Sequence, residues 1–276
     1  MKNTYFFHHS NSRFFKISGE DCISFIQNLI TNDITKCREN DIIYSCLLTP
    51  QGKFLADFFI FNKNNSFYFE TNKKFYDNLL SKLKIYKLRS NIIIEEIDNL
   101  YSYTLFNIEY NLQKIIQIKD PRNNNLGNKL ILQNKIDLSN ITINQINETK
   151  YHEILISNTT PYSPIDVSEN KSLLLENNFE NLNAIDWEKG CYVGQEITAR
   201  MKYRGLLKKK IYSLKLKNGS IRAGDELIIN NKKIGNIISI ANSNIFATLN
   251  INFVDELKKD SKVLTINDSL AFDFLN

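Results

Sequence analysis

The chain has 276 residues, 42% of them hydrophobic and 24% charged, with a net charge of +5. That length fits two or three domains, and the composition is that of a soluble globular chain with a sizeable core. No run approaches about eighteen uninterrupted apolar residues, which excludes a helical membrane span. The N-terminal stretch from Met1 to His9 lacks the apolar region of a signal peptide, so a cytoplasmic protein is expected. Basic residues are interspersed with acids, the pattern of a mixed solvated surface, and no nucleic-acid partner is indicated.

In chain order, residues 13–18 predict a strand. A helix follows, with Asp21 as N-cap, an apolar face of Ile23, Phe25, Ile26, Leu29 and Ile30, and an end at Thr31-Asn32-Asp33. Ile42 to Thr49 and Lys53 to Phe61 predict a hairpin turned by Pro50-Gln51-Gly52. After a turn at residues 62–65 come a strand over 66–70 and an amphipathic helix over 73–87. That helix has Phe75, Leu79, Leu80, Leu83, Tyr86 and Leu88 on one side. A strand spans 91–97. Helices on an antiparallel sheet make an α+β domain.

Further on, 101–106, 114–118 and 129–132 read as short strands, 151–157 as strand or helix, Pro161 and Pro164 as the brackets of a turn, and 168–176 as helical. Beyond Lys208, strands over 211–216, 226–229, 232–240, 245–251 and 263–266 alternate with tight turns, the texture of a small β-barrel.

Chemistry concentrates in Lys189-Gly190-Cys191-Tyr192-Val193-Gly194-Gln195-Glu196-Ile197-Thr198-Ala199-Arg200. Cys191 is either a buried inert thiol or a functional one. The flanking glycines and polar residues favour the second, because an inert core position needs neither. A helix is expected from Gln195 to Met201, and a thiol ahead of a helix N-terminus and near Lys189 sits in positive potential, which favours thiolate. Gln195 and Glu196 also suit the first turn of a helix, and Arg200 suits a solvated face or an anionic ligand. Trp187 reads as core or as a stacking surface. Asp57, between apolar strand residues, faces solvent or lines a pocket. Arg89 ends a helix, where it satisfies carbonyls. Of the four cysteines, Cys22 and Cys46 read as core, and neither C-x-x-C nor zinc-ligand spacing is present, so no metal site is expected.

The run from Lys189 to Glu196 followed by Arg200 resembles the signature of the YgfZ/IBA57 family, folate-binding, glycine-cleavage-T-protein-like proteins that support iron–sulfur enzymes. Phe25 to Ile34, Leu47 to Phe58 and Tyr86 to Arg89 are similar to further blocks of that family, in the same order. The resemblance implies a multi-domain α+β fold with antiparallel sheets and packed helices around a central folate channel, plus a small C-terminal barrel. On that basis the domains are 1–97, completed by later segments, then 98–205 and 206–276. It implies tetrahydrofolate as cofactor and iron–sulfur client proteins or assembly factors as partners. Cys191 and Lys189 are the reactive pair, and Tyr44, Asp57, Arg89, Trp187, Gln195, Glu196 and Arg200 are the folate-binding candidates. The related aminomethyltransferases carry an Asp-Asp pair where this chain has Ala56-Asp57, which argues against aminomethyl or one-carbon transfer. A binding module for RNA or an RNA-modifying enzyme, using Arg200 to Lys210, is the remaining alternative.

Overall fold

The computed structural model describes residues 4–108, 114–136, 143–260, 263–267 and 270–275. The chain divides into two compact units with interleaved segments. One comprises Met1–Ile146, Glu169–Lys171 and Glu180–Gln195, and the other Asn147–Ser168, Ser172–Phe179 and Glu196–Asn276.

The first unit begins with β1 (Tyr5–His8), β2 (Ser12–Ser18), α1 (Cys22–Gln27), β3 (Ile42–Leu48), β4 (Phe54–Lys63) and β5 (Ser66–Asn72). It continues through α2 (Lys73–Lys87), β6 (Ile93–Ile97), β7 (Tyr101–Phe106), β8 (Ile116–Lys119), β9 (Asn128–Leu132) and β10 (Asn144–Gln145). Two five-stranded sheets result, in the orders β10-β1-β7-β9-β8 and β3-β4-β5-β2-β6. All pairings are antiparallel except β1 with β10.

Alternation along the strands of the second sheet sorts its two faces. One face is apolar: Phe15 stacks on Phe69 at 4.7 Å, and α2 lays Phe75, Tyr76, Leu79, Leu80 and Leu83 nearby, with Phe54 edge-on to Phe75. Burying each such side chain contributes about 1.5–3 kcal/mol. The Asn72 side chain caps α2 by accepting the Lys74 N–H at 3.0 Å. On the other face, Tyr44, Phe59 and Glu70 are cross-strand neighbours. The first sheet also has an apolar face, built on Phe6, Tyr103, Leu105, Leu130 and Leu132.

Several elements differ from the sequence expectation. α1 stops at Gln27: Thr31 and Asn32 give their side chains to tertiary bonds, and Asp33 accepts from Gln27 and caps the 3-10 turn Ile34–Lys36. Asp21 does not cap α1; its carboxylate accepts the Asn91 N–H at 2.7 Å. Ile23 is exposed rather than packed, and so is Leu88, which adopts φ +45°.

The second unit holds α3 (Glu148–Ser157), α4 (Ser163–Asp166), α5 (Gln195–Tyr203, from its second residue), β11 (Lys209–Asn218), β12 (Glu226–Ile229) and β13 (Lys232–Ala241). β14 (Asn244–Asn250), α6 (Ile251–Asp260), β15 (Val263–Asn267) and β16 (Leu270–Phe274) complete it. Its six strands run in the order β12-β13-β14-β11-β16-β15, and the edge strands β12 and β15 approach each other, so the sheet is a nearly closed barrel. α6 and β16 were not expected from the sequence. Asn250 marks the start of α6, accepting the Phe253 N–H, and Val254 enters the barrel core. Residues 151–157 are helical, Pro164 lies in the first turn of α4, and in place of the expected 168–176 helix there is a 3-10 turn, Leu175–Asn177, at its end. His152 is core: it is buried against the Asp166 carboxylate at 3.0 Å. No helix among the described residues is long and apolar enough to cross a membrane.

Gly235 permits β13 to lie against β14, since a Cβ there would stand 2.0 Å from the Thr248 carbonyl oxygen. Gly235→Ala is expected to destabilise the barrel by about 1–3 kcal/mol, seen as a lower urea midpoint with an unchanged slope.

Candidate functional site

The cysteine loop is built on the segment that terminates α1. Thr31 Oγ1 donates to the Ala184 carbonyl at 2.6 Å and accepts the Cys46 N–H at 3.0 Å. The Asn32 amide donates to the carbonyls of Tyr44 at 2.9 Å and Asn183 at 2.8 Å. The Asp186 N–H donates to the Thr31 carbonyl at 3.0 Å, and the Asp186 carboxylate accepts the N–H groups of Glu188 and Lys189 and pairs with Lys36. Residues 183–189 are thereby tied to β3 and to the end of α1.

Lys189 completes this arrangement. Its ammonium donates to three carbonyls, those of Gln27 at 2.8 Å, Ile30 at 2.7 Å and Asn32 at 2.9 Å. These belong to the turn where α1 ends, so the cation neutralises backbone acceptors that the helix leaves without partners. Burial draws the Lys189 pKa down to about 8, against Asp33 and Asp186, which pull it upward. With its three donors spent on backbone, Lys189 is a positioning residue.

Past Cys191 the loop is held again. Tyr192 is buried with Lys189 Nζ over its ring at 5.1 Å, and the Val193 N–H donates to the Asn28 carbonyl at 3.2 Å. Gly194, at φ +82°, touches the β3–β4 turn: a Cβ there would meet the Thr49 carbonyl oxygen at 2.5 Å. Gly190 has open space around it. Between these anchors Cys191 is exposed, whereas Cys22, Cys37 and Cys46 are buried. Burial pushes the Cys37 thiol up to about 12 and Cys46 well above its ordinary value.

A second cluster lies between the two sheets of the same unit. Tyr44 donates its hydroxyl to Asp57 Oδ2 at 2.5 Å, and burial, then the Asp57 charge, raises the Tyr44 pKa well above its ordinary value. Asp57 remains half-buried. Ala56 is buried on the opposite face of β4, so Asp57 is the acid this position offers to the inter-sheet side. The Arg122 guanidinium forms a bidentate pair with Asp120, at 3.0 and 2.8 Å, and lies 5.4 Å over the Tyr44 ring and 4.9 Å over Phe59. From β9, Lys129 reaches Glu70 of β5 at 2.8 Å and sits 4.3 Å over Phe59. Burial lowers the Lys129 pKa while Glu70 opposes the shift. Glu70 Oε1 also accepts the Ser12 hydroxyl, and Glu70 Oε2 is a buried atom with no hydrogen-bond partner. His9 shares a hydrogen bond with Thr104 Oγ1 at 2.8 Å. Burial and the charges of Lys129 and Arg122 hold it well below its ordinary pKa, hence neutral near pH 7.

The structure therefore brings Tyr44 and Asp57 together and pins the Lys189–Cys191 loop. Trp187 is half-buried in that loop, and Gln195 opens α5, its N–H donating to the Tyr192 carbonyl at 3.2 Å. Glu196 and Arg200 lie in the second unit as an exposed i,i+4 ion pair, an interaction worth about 0.3–0.5 kcal/mol. Arg89 is exposed at the end of α2. Sequence reasoning missed Arg122, Lys129, Glu70 and His9. The available signal was Asp120-Pro121-Arg122, two opposite charges straddling a proline, and a lone lysine in the apolar strand Asn128–Leu132.

Residues 2–154 match the model of the GCVT N-terminal domain. In sequence the chain is similar to the mitochondrial iron-sulfur cluster assembly factor IBA57 homolog of Neurospora crassa, 28% identical over 225 residues, covering 73% of this chain and 51% of that protein. The corresponding homolog of Mycosarcoma maydis is 27% identical over 219 residues, covering 72% and 54%. Mouse IBA57, also labelled mitochondrial, is 24% identical over 227 residues, covering 73% and 63%. The chain thus spans about half to two thirds of the length of these relatives. In structure it is similar to the glycine cleavage system aminomethyltransferase T of Bartonella henselae, with TM-score 0.75 and 12% identity over 99% of this chain and 85% of that one.

Replacing Lys189 by Met leaves three carbonyls without their donor. Lys189→Met is expected to lower stability by about 1–3 kcal/mol near pH 7. The Lys189 pKa is about 8 when folded and near 10.5 when unfolded, so between those values the unfolded chain binds the extra proton. Stability of the parent protein relative to Lys189→Met should therefore rise with pH across that window, measured by urea unfolding at a series of pH values. Gly194→Ala is expected to be strained at positive φ and lower the melting temperature, whereas Gly190→Ala leaves it unchanged.

Proposed function

The chain belongs to the GCVT N-terminal domain family, in its IBA57/YgfZ-like group, and from that premise we propose that it serves iron–sulfur cluster assembly, maintenance or repair with Cys191 as its working thiol and a reduced folate as cofactor. The observation that carries this reading is the contrast among the cysteines: three are buried, and the fourth is exposed on a loop anchored on both sides. An exposed sulfur held in place suits transient ligation of iron or sulfur delivered to a client protein.

The inter-sheet cluster fits the chemistry of tetrahydrofolate. A pterin presents N–H donors, and the half-buried Asp57 carboxylate, oriented by Tyr44, offers an acceptor for them. When bound, the folate supplies one-carbon chemistry. The protein's part is to orient it through Asp57 and Tyr44, with Arg122 bracing the Tyr44 ring. Ala56 disfavours the transferase reading, because its side chain brings no second acid beside Asp57. Thiols without disulfides suit a reducing compartment, either the cytoplasm or the mitochondrial interior that the relatives' names give.

Cys191 is exposed, so Cys191→Ala should change stability by no more than about 0.5 kcal/mol while failing to rescue a strain that lacks its own family member. Full rescue by this variant would remove the thiol from the proposal. Titration with tetrahydrofolate, followed by Trp187 fluorescence, should saturate. Asp57→Asn should weaken that binding by about tenfold, one lost charge-assisted hydrogen bond. Absence of any folate response in the parent protein would sink the cofactor assignment and leave the thiol assignment standing.

A further inference from the structure

Resting on the folate reading above, we propose that Glu70 is a second ligand acceptor, so that Asp57 and Glu70 together take N–H donors from the two rings of a reduced pterin. Strand register places the two acids. Tyr44 of β3 stands opposite Phe59 of β4, and Phe59 stands opposite Glu70 of β5. Asp57 lies two residues before Phe59 on β4, in the regular part of its pairing with β3, so Asp57 and Glu70 leave the same face of the sheet. Side chains in this diagonal relation on adjacent strands are about 7–8 Å apart. The face is the inter-sheet one, because Lys129 of the facing sheet reaches Glu70 across it.

The Glu70 carboxylate is only half used by the chain. Its Oε1 takes the Lys129 ammonium at 2.8 Å and the Ser12 hydroxyl at 2.6 Å. Its Oε2 takes nothing, although the side chain is only 3% exposed. Among the described residues, four buried side-chain atoms lack a hydrogen-bond partner, and this is the one carboxylate oxygen of the four. A carboxylate oxygen is the strongest acceptor in that set, and leaving it unmet is the most costly. Each acid is also braced: Tyr44 holds Asp57 through Oδ2, and Lys129 holds Glu70 through Oε1. A reduced pterin carries N–H donors on its amino-pyrimidinone ring and a further set on its reduced ring. An oxidised pterin keeps the first set and loses the second. Two braced acids set apart on one face serve both sets, one each, and so favour the reduced form.

The test uses the full chain, with tetrahydrofolate and folic acid as probes and Trp187 fluorescence as the readout. Glu70→Gln keeps an acceptor for Lys129 and Ser12 and turns the free oxygen into an amide donor. It is expected to weaken tetrahydrofolate binding about tenfold. Combined with Asp57→Asn, the losses should multiply to about a hundredfold, as for contacts to separate groups. A Glu70 that merely propped Asp57 would add nothing to the Asp57→Asn loss. Glu70→Gln combined with Lys129→Met removes the buried cation along with its partner and should show the same tenfold loss; circular dichroism checks folding. The parent protein should prefer tetrahydrofolate to folic acid. In the parent protein, with no variant needed, the Glu70 side-chain carboxyl carbon resonance should shift on saturation with tetrahydrofolate. Parent-like binding by a folded Glu70 variant, losses that do not multiply, equal affinity for the two folates, or an unmoved Glu70 resonance would each overturn the proposal and leave the Asp57 assignment standing. An ordered water satisfying Oε2 would give the first and last of these results. No response of the parent protein to either folate would instead overturn the cofactor reading, and this proposal with it.

Discussion

The ammonium of Lys189 is the constraint on which the cysteine loop depends. A helix of only six residues, α1, ends in a turn whose carbonyls have nowhere to go within the helix. One cation from a position 159 residues later in sequence than Ile30 gathers three of them. That single group closes the chain back on its beginning, and residues 186–193 are bonded to the segment that ends α1. Desolvation works against the charge, and the arrangement persists because the acceptors and the nearby acids Asp33 and Asp186 offset it. Thr31 and Asn32 repeat the same device with neutral hydrogen bonds. The sulfur two residues on is thus exposed between two anchored segments.

The inter-sheet cluster applies related physics to side chains. Lys129 and Glu70 come from facing sheets, and each would be intolerable alone in that interior. Arg122 is held flat by Asp120 and covers Tyr44 and Phe59. The effect is to fix the Tyr44 hydroxyl, and with it Asp57, from behind. Among these groups Asp57 stays half-buried, with its carboxylate held by the Tyr44 hydroxyl. The unpartnered Glu70 Oε2 shows that polar capacity in this seam exceeds what the chain itself consumes.

Much was legible in the linear order of residues. α2 and the β3–β4 hairpin follow from apolar periodicity and from Pro50 and Gly52. The short strands of the barrel follow from alternation and turn chemistry. The motif from Lys189 to Arg200 could be singled out because its residue types do not suit a core. α6 was hidden because Ile251 continues the apolar pattern of β14, and only the Asn250 cap separates helix from strand. α1 was drawn too long because Leu29 and Ile30 are buried and fit the helical period, although their backbone has already left the helix.

What the sequence determined by itself is most of the strands, the helix α2 and the presence of an unusual cysteine. Those depend on the nearest few residues along the chain. What only the tertiary structure decided is which partners the charges find. Lys189 looked like a modifier of Cys191 because they are neighbours in sequence, yet its ammonium is satisfied by carbonyls of residues 27–32. Arg122, Lys129 and Glu70 look like ordinary surface charges until two sheets close over them. The reason is physical: a buried charge must be paired wherever the fold allows, and that partner is set by distance in space, to which sequence separation is no guide.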